Sequence, residues 1–180
     1  TDCGVEARHF GGSSGYGVWD DSRNKLEEVF ARCMGAEAAL VRPQFMSGTH
    51  TLTVALFGLL RTGDTLLAAT GRPYDTLEGV IGIGDAGKGC GTLREFGVNY
   101  DECPLLPDFT PDYDLIAEKA RTATVVHIQR SRGYTQRNAF DLATIQKVAD
   151  TARKANPNAV IFVDNCYGEF TQTAEPVAFG

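Results

Sequence analysis

"AVIFVDN", residues 159–165, decides how the chain is to be read. Five apolar residues run without a break into an aspartate. A strand with one wet face alternates apolar and polar residues, whereas an unbroken run belongs to a strand covered on both faces, as in a parallel sheet. Just upstream, "DLATIQKVADTARKAN" (141–156) has Asp141 placed to cap a helix. Leu142, Ile145, Val148, Ala149 and Ala152 form its apolar stripe. Before it, "ATVVHIQ" (123–129) is another apolar run. Strand, helix and strand in this order imply a right-handed βαβ crossover.

The alternation continues toward the N-terminus. "PDYDLIAEKART" (111–122) is a helix with Leu115, Ile116 and Lys119 at helical spacing, and "GTLREFGVNY" (91–100) reads as extended. "YDTLEGVIG" (74–82) is a short helix and "DTLLAAT" (64–70) a strand. "SGTHTLTVALFGLL" (47–60) reads as a capped, largely buried helix, and "AEAALVRP" (36–43) as a short buried strand. A helix begins at Ser22, which is placed to cap it, carries Leu26, Val29, Phe30 and Cys33 on one face, and stops at Gly35. Residues 1–21, rich in glycine and serine, read as an irregular arm carrying Phe10, Tyr16 and Trp19. The expected fold is α/β with a mostly parallel sheet and ligands at the carboxyl ends of its strands.

Composition sets outer bounds. A chain of 180 residues, 43% apolar and 22% charged, can bury one sizeable core. A net charge of −6 argues against general binding to nucleic acid or to an anionic membrane. The five cysteines (Cys3, Cys33, Cys90, Cys103, Cys166) are odd in number and lack C-x-x-C spacing. They suit a reducing, cytoplasmic setting better than a disulfide framework or a zinc ribbon. The longest apolar stretch, 51–60, is too short to cross a bilayer, and no secretory-signal pattern precedes it.

"GVIGIGDAGKGCG" (79–91) contains G-x-G-x-x-G in Gly82, Gly84 and Gly87, and most of a P-loop in Gly82, Gly87 and Lys88. Both motifs need a strand before the glycines and a helix after them. Here a helical segment precedes and an extended one follows, and Gly89 stands where a P-loop has Ser or Thr. The stretch is read as a connecting loop.

A better anion cradle is "QFMSGTHTL" (44–52). Ser47 can cap the helix, and the free N–H groups of Gly48 and Thr49 point along its axis, with about half a positive charge from the helix dipole behind them. The same residues also serve a plain helix cap. Asp164 closes the apolar run at the ligand-binding end of its strand, where an unpaired carboxylate is costly. It suits a structural cap, a metal ligand or the partner of a cationic ring nitrogen. Metal is the least supported, since His9, His50 and His127 show no paired spacing. Tyr167 follows three residues later. Tyr74 follows another strand and can cover a flat ring or simply pack on the surface.

In this order, "HFGGSSGYG", "ALVRPQFMSGTHTL", "GRPYDTLEGVIG", "IQRSRGY" and "VDNCYGEF" resemble the methionine γ-lyase-like, aluminium-resistance branch of the cystathionine-lyase-related enzymes. Those are pyridoxal-phosphate enzymes of the aspartate-aminotransferase fold. The resemblance implies a three-layer, fold-type I large domain and pyridoxal 5'-phosphate as cofactor. It places Ser47, Gly48 and Thr49 on the cofactor phosphate, Tyr74 against the pyridine ring and Asp164 on the ring nitrogen. It places Tyr167 near the ring's phenolic oxygen, and Gln129 or Ser131 in the segment that puts another group there. Tyr16 matches a tyrosine that relatives lend to a neighbouring subunit's phosphate, implying a homodimer or homotetramer with shared sites. The implied reaction is carbon–sulfur lysis of a sulfur-containing amino acid, with another reaction of the same cofactor or a non-catalytic binding role as alternatives. The Schiff-base lysine is expected beyond Gly180, because Lys25, Lys88, Lys119, Lys147 and Lys154 all precede Asp164. The arginine for the substrate carboxylate is expected there too.

Overall fold

Four strands form one all-parallel sheet in the order β2-β1-β3-β4: β1 (Thr65–Ala68), β2 (Asn99–Glu102), β3 (Val125–Gln129) and β4 (Val160–Asp164). The computed structural model describes residues 2–17 and 20–179; Trp19 and Gly180 lie outside them. Helices α1 (Asp21–Met34), α2 (Gly48–Leu59), α3 (Asp75–Ile81), α4 (Tyr113–Ala120) and α5 (Leu142–Ala155) complete the fold. Among the described residues, no helix is long and apolar enough to cross a membrane.

Successive strand residues point to opposite faces, so each strand feeds two cores. On one face Leu67, Val126 and Ile128 pack with Ile116 and Ala120 of α4 and with Ile145, Val148 and Ala152 of α5. On the other, Leu66 and Val125 pack with Leu56 of α2 and with Leu77 and Ile81 of α3. The result is three layers, helices–sheet–helices. α5 follows its sequence pattern closely: the Asp141 carboxylate accepts from Thr144 N–H at 2.8 Å, and the whole predicted stripe is buried.

Five local expectations are corrected. Residues 36–43 form no strand; Val41 N–H donates to the Glu27 carboxylate instead of to a ladder, and Leu40 is exposed. The helix expected to be largely buried is not: within α2 only Leu56 is fully buried, and Val54 and Leu59 face outward. The extended segment expected at 91–100 is a turn over residues 93–97, and β2 begins only at Asn99. Ser22 does not cap α1: Asp20 holds that position, and its carboxylate gathers the Ser13 hydroxyl and the N–H groups of Gly15 and Gly17. β4 is an edge strand, with Val160 exposed.

Residues 2–11 of the arm run back along α1. Lys25 Nζ donates to Cys3 O at 2.9 Å and Arg32 Nη1 to Asp2 O at 2.7 Å. The apolar face predicted for α1 is left open, with Leu26 and Phe30 exposed. Phe30 and Met34, residues 36–41, α5 and β4 border a cavity of about 520 Å³.

Candidate functional site

The carboxyl ends of β1, β3 and β4 meet on one edge of the sheet. Gln129 lies opposite Asp164 in the β3–β4 register, and Arg130 N–H donates to Asp164 O at 3.0 Å. After β1 the chain enters α3 with Tyr74 at the N-cap. The Gln129 side chain ties this entrance down: Oε1 accepts from Tyr74 N–H at 2.7 Å, and Nε2 donates to Ser131 O at 3.1 Å. In the first turn of α3, the Thr76 hydroxyl lies 2.8 Å from the Thr49 hydroxyl of α2. The Thr49–Thr76 and Tyr74–Gln129 hydrogen bonds and the Gln129–Asp164 register thus tie the N-terminus of α2, the entrance of α3 and the ends of β3 and β4 to one another.

At the α2 end, Ser47 Oγ accepts from His50 N–H at 3.1 Å, as a cap should. The N–H groups of Gly48 and Thr49 find no acceptor among the described residues. The space beside Gly48 is open: a Cβ there would meet nothing within 4 Å. Two N–H donors and two hydroxyls at a helix N-terminus are a donor set for an oxyanion.

Asp164 is the acidic pole. Its Oδ1 accepts from Cys166 N–H at 3.1 Å, and among the described residues no cation pairs with it. Burial pushes the carboxyl above the ordinary carboxylate range. The Cys166 N–H opposes this shift and the Glu169 charge reinforces it. A cation brought to this carboxylate would relieve the strain on its charge.

The loop after Asp164 is shaped by a residue that sequence reasoning missed. Arg130 is only 4% exposed. Its Nη1 donates to Asn165 Oδ1 at 2.8 Å and to Gly168 O at 2.9 Å; its Nη2 donates to Gln172 Oε1 at 2.9 Å. The buried Glu175 carboxylate lies 3.9 Å from the guanidinium and accepts from Phe170 N–H at 2.7 Å and from Asn165 Nδ2 at 2.9 Å. A Cβ on Gly168 would lie 2.4 Å from Arg130 Nη1, so only glycine fits there. Tyr167, beside it, is held at φ 66°, a left-handed conformation costly for tyrosine, with its ring 87% exposed. The available signal was an arginine directly after an apolar strand, with an acid further along to answer it.

A second buried arginine, Arg137, donates to the backbone oxygens of Gln129, Arg130, Ser131 and Asn138 and sits 4.1 Å over the Phe140 ring. Burial pulls its guanidinium down to about 10. It fixes the 131–135 turn, which brings Tyr134 onto Tyr74: the ring centroids are 5.4 Å apart and the Tyr74 hydroxyl donates to that of Tyr134 at 3.1 Å. That bond is the largest cause pushing the Tyr74 phenol up to about 12.

The predicted residues therefore divide. Thr49, Tyr74, Gln129 and Asp164 are joined by direct contacts or strand register, and Ser47 and Gly48 adjoin Thr49. Gln129 has both amide atoms committed to backbone partners, whereas the Ser131 hydroxyl has no hydrogen-bond partner among the described residues. Tyr16 stands apart: it is 89% exposed, and among the described residues its N–H donates to Ser14 Oγ while its hydroxyl makes no hydrogen bond.

The glycine-rich stretch does bind an anion, but its own. The Glu95 carboxylate accepts from Gly89 N–H at 2.6 Å, Gly91 N–H at 2.8 Å and Thr92 N–H at 3.0 Å, and these bonds hold it below the usual carboxylate range. Lys88 points outward to Asp85. A Cβ on Gly87 would lie 2.1 Å from Gly79 O, so that glycine serves loop packing.

Comparison with known proteins identifies related sequences and folds. A family model described as methionine gamma-lyase matches residues 2–180. The uncharacterized protein YnbB of Bacillus subtilis (strain 168) is 45% identical over 177 residues, which is 98% of this chain and 42% of YnbB. The crystal structure of a carbon-sulfur lyase involved in aluminum resistance from Clostridium novyi NT superposes with a TM-score of 0.93 at 43% identity, covering 99% of this chain and 43% of that one. The apo structure of CalE6, a methionine gamma lyase from Micromonospora echinospora, shares the fold at a TM-score of 0.62 and 22% identity, over 88% of this chain and 37% of CalE6. The chain thus spans less than half the length of each.

Proposed function

The chain belongs to the methionine gamma-lyase family, and on that premise we propose that it cradles pyridoxal 5'-phosphate in a carbon–sulfur lyase of sulfur-containing amino acids. The observation that carries the reading is the pairing of free oxyanion donors at the α2 N-terminus with an uncompensated carboxylate at Asp164, on segments joined through Thr76, Tyr74 N–H and Gln129. A phosphorylated pyridinium has the complementary charges in the same order.

The residues present fit that group. The N–H groups of Gly48 and Thr49, with the hydroxyls of Ser47, Thr49 and Thr76, would hold the phosphate. Asp164 would keep the ring nitrogen protonated, its charge then answered by a cation. Tyr74 would fix the ring plane, and Ser131 is free to reach the ring's hydroxyl edge. When bound, the cofactor supplies an electron sink for the substrate's α-carbon. None of Lys25, Lys88, Lys119 or Lys147 contacts the site; each is engaged elsewhere. The covalent lysine and the substrate-carboxylate arginine are assigned to sequence the relatives have outside the aligned span.

A homodimer or homotetramer belongs to the same reading. Phe10 (84% exposed), Tyr16 and Met46 (80%) are large side chains left in solvent. The five free cysteines support a reducing, cytoplasmic setting.

The test uses the full-length protein. Added pyridoxal 5'-phosphate is expected to give a visible absorption band, and a thioether amino acid is expected to release thiol. Transfer of the amino group to a keto acid without thiol release would replace the lyase assignment with another reaction of this cofactor. Absence of any visible band would overturn the cofactor reading.

A further inference from the structure

Tyr134 closes the "IQRSRGY" motif without a role assigned to it, yet its hydroxyl is the hydrogen-bond partner of the Tyr74 phenol. We propose that Tyr134 is a positioning residue for Tyr74: its hydroxyl receives the Tyr74 hydrogen bond and its ring packs on the Tyr74 ring, so the 131–135 turn sets where the Tyr74 phenol points. The proposal rests on the reading of Tyr74 as a cofactor-site residue.

Three features make the contact a built one. First, the turn is anchored on both sides, by Gln129 Nε2 on Ser131 O and by Arg137 on the oxygens of Gln129, Arg130 and Ser131. Thr135 N–H and Oγ1 close it onto Arg132 O at 3.1 and 2.6 Å. Second, Gly133 has φ 56°, and a Cβ there would come within 3.2 Å of Tyr74 Cδ2 and 3.4 Å of Gln129 Nε2. The turn therefore approaches the Tyr74 ring as closely as backbone can, which brings the next residue's side chain over it. Third, Gln129 holds the Tyr74 backbone while Tyr134 holds its far end. With both ends of the ring axis held, the Tyr134 ring packed at 5.4 Å and 33° restrains rotation about that axis.

Tyr134 is 83% exposed, so its burial contributes little to the fold. What it does contribute is an acceptor that directs the Tyr74 proton. The Tyr74 hydroxyl donates, which favours its neutral form. The other groups acting on it are Asp75 from α3 and Tyr167 from the loop after β4, and both also disfavour the phenolate. In the resting site the Tyr74 phenol stays protonated and aimed at Tyr134, available to give its proton only when that bond is exchanged.

The test places 3-fluorotyrosine at position 74 of the full-length protein and follows its titration by ¹⁹F NMR, first without cofactor and then with added pyridoxal 5'-phosphate. Tyr134→Phe keeps the ring and removes the hydroxyl. It is expected to lower the cofactor-free midpoint by about one pH unit, a tenfold change in ionisation constant. Tyr134→Ala is expected to give the same shift and to broaden the range of ring orientations, seen as a change in ¹⁹F chemical shift. The melting temperatures of both variants should match the parent, which a purely structural contact would not combine with a moved titration. A Tyr134→Phe midpoint that stays in place or rises overturns the proposal. Failure of the cofactor reading would appear separately, as absence of the visible band in the parent protein.

Discussion

His127 offers the sharpest energetic test of the site's foundation. It lies in β3 two residues before Gln129, is 1% exposed, stacks on Phe162 at 5.9 Å, and has an Nε2 with no hydrogen-bond partner. Burial alone pulls the imidazole down to about 4 from its ordinary 6.5. The sign follows from proton counting. Below pH 6.5 the unfolded chain takes up a proton on this histidine and the folded chain does not, so acid favours unfolding. Its contribution is complete above that value and is lost as the pH falls toward 4. At about 1.4 kcal/mol per pH unit, the loss is about 2 kcal/mol at pH 5 and about 3 kcal/mol at pH 4.

His127→Leu removes the titrating group at nearly constant volume. It also removes the unpartnered nitrogen, which is expected to stabilise the protein by about 1 kcal/mol at pH 7.5. Urea unfolding of parent and variant across pH 4–7.5 provides the measurement, and the difference between the two cancels the acid loss shared by carboxylates such as Asp108 and Asp141. The variant's advantage should widen steadily on acidification. A difference that stays constant across the range would mean that His127 is not a buried neutral imidazole, and the account of the layer beneath Gln129 would fail with it.

Asp164→Asn should raise the urea midpoint of the cofactor-free protein at neutral pH, because the raised carboxyl makes its charge a cost above the ordinary carboxylate range; in the loaded enzyme it should abolish most turnover. Arg130→Met should cost about 3–5 kcal/mol by leaving Glu175 buried without its cation, and limited proteolysis should then cut within residues 165–175. Gly87→Ala should cost about 2 kcal/mol or more in thermal unfolding, since both its φ of 70° and the Gly79 oxygen reject a side chain, while ATP should leave the melting temperature of the parent unchanged. Mixing Tyr16→Phe with Asp164→Asn subunits should restore activity if sites are shared, because one site of a mixed dimer then carries neither lesion; no recovery would remove Tyr16 from its neighbour's site.

What could be read in advance was whatever the local chain determines alone. α5 announces itself twice, through a capping aspartate and a stripe at helical spacing, and neither needs a tertiary partner to be recognised. Gly35 stops α1 at φ 71° and Gly82 stops α3 at φ 89°, as glycine after a periodic run predicts. Placing Asp164 at a strand's carboxyl end needed only the direction of that strand. The residues that hold the site together were hidden because their partners are distant in sequence. Arg130 is answered by Glu175 and Arg137 by four backbone oxygens, and carbonyl acceptors leave no trace in composition. Thr76 looked like an ordinary helix residue until α2 brought Thr49 within 2.8 Å.

The failures at α1, α2 and residues 36–43 share another cause. Apolar periodicity shows that a face avoids water, but it does not say which surface removes the water. Leu26 and Phe30 of α1, Leu40 of the 36–43 segment and Val54 of α2 all remain exposed. The same holds for β4, whose apolar run predicts cover on both faces while its outer edge faces the cavity beside α1 and residues 36–41. By contrast, the whole apolar stripe of α5 is buried, most of it in the core that α4, α5 and one face of the sheet share. The shared-site experiment has its physical motive in the arm: exposed Phe10 and Tyr16 lie on the segment that the oligomer proposal brings to a neighbouring subunit.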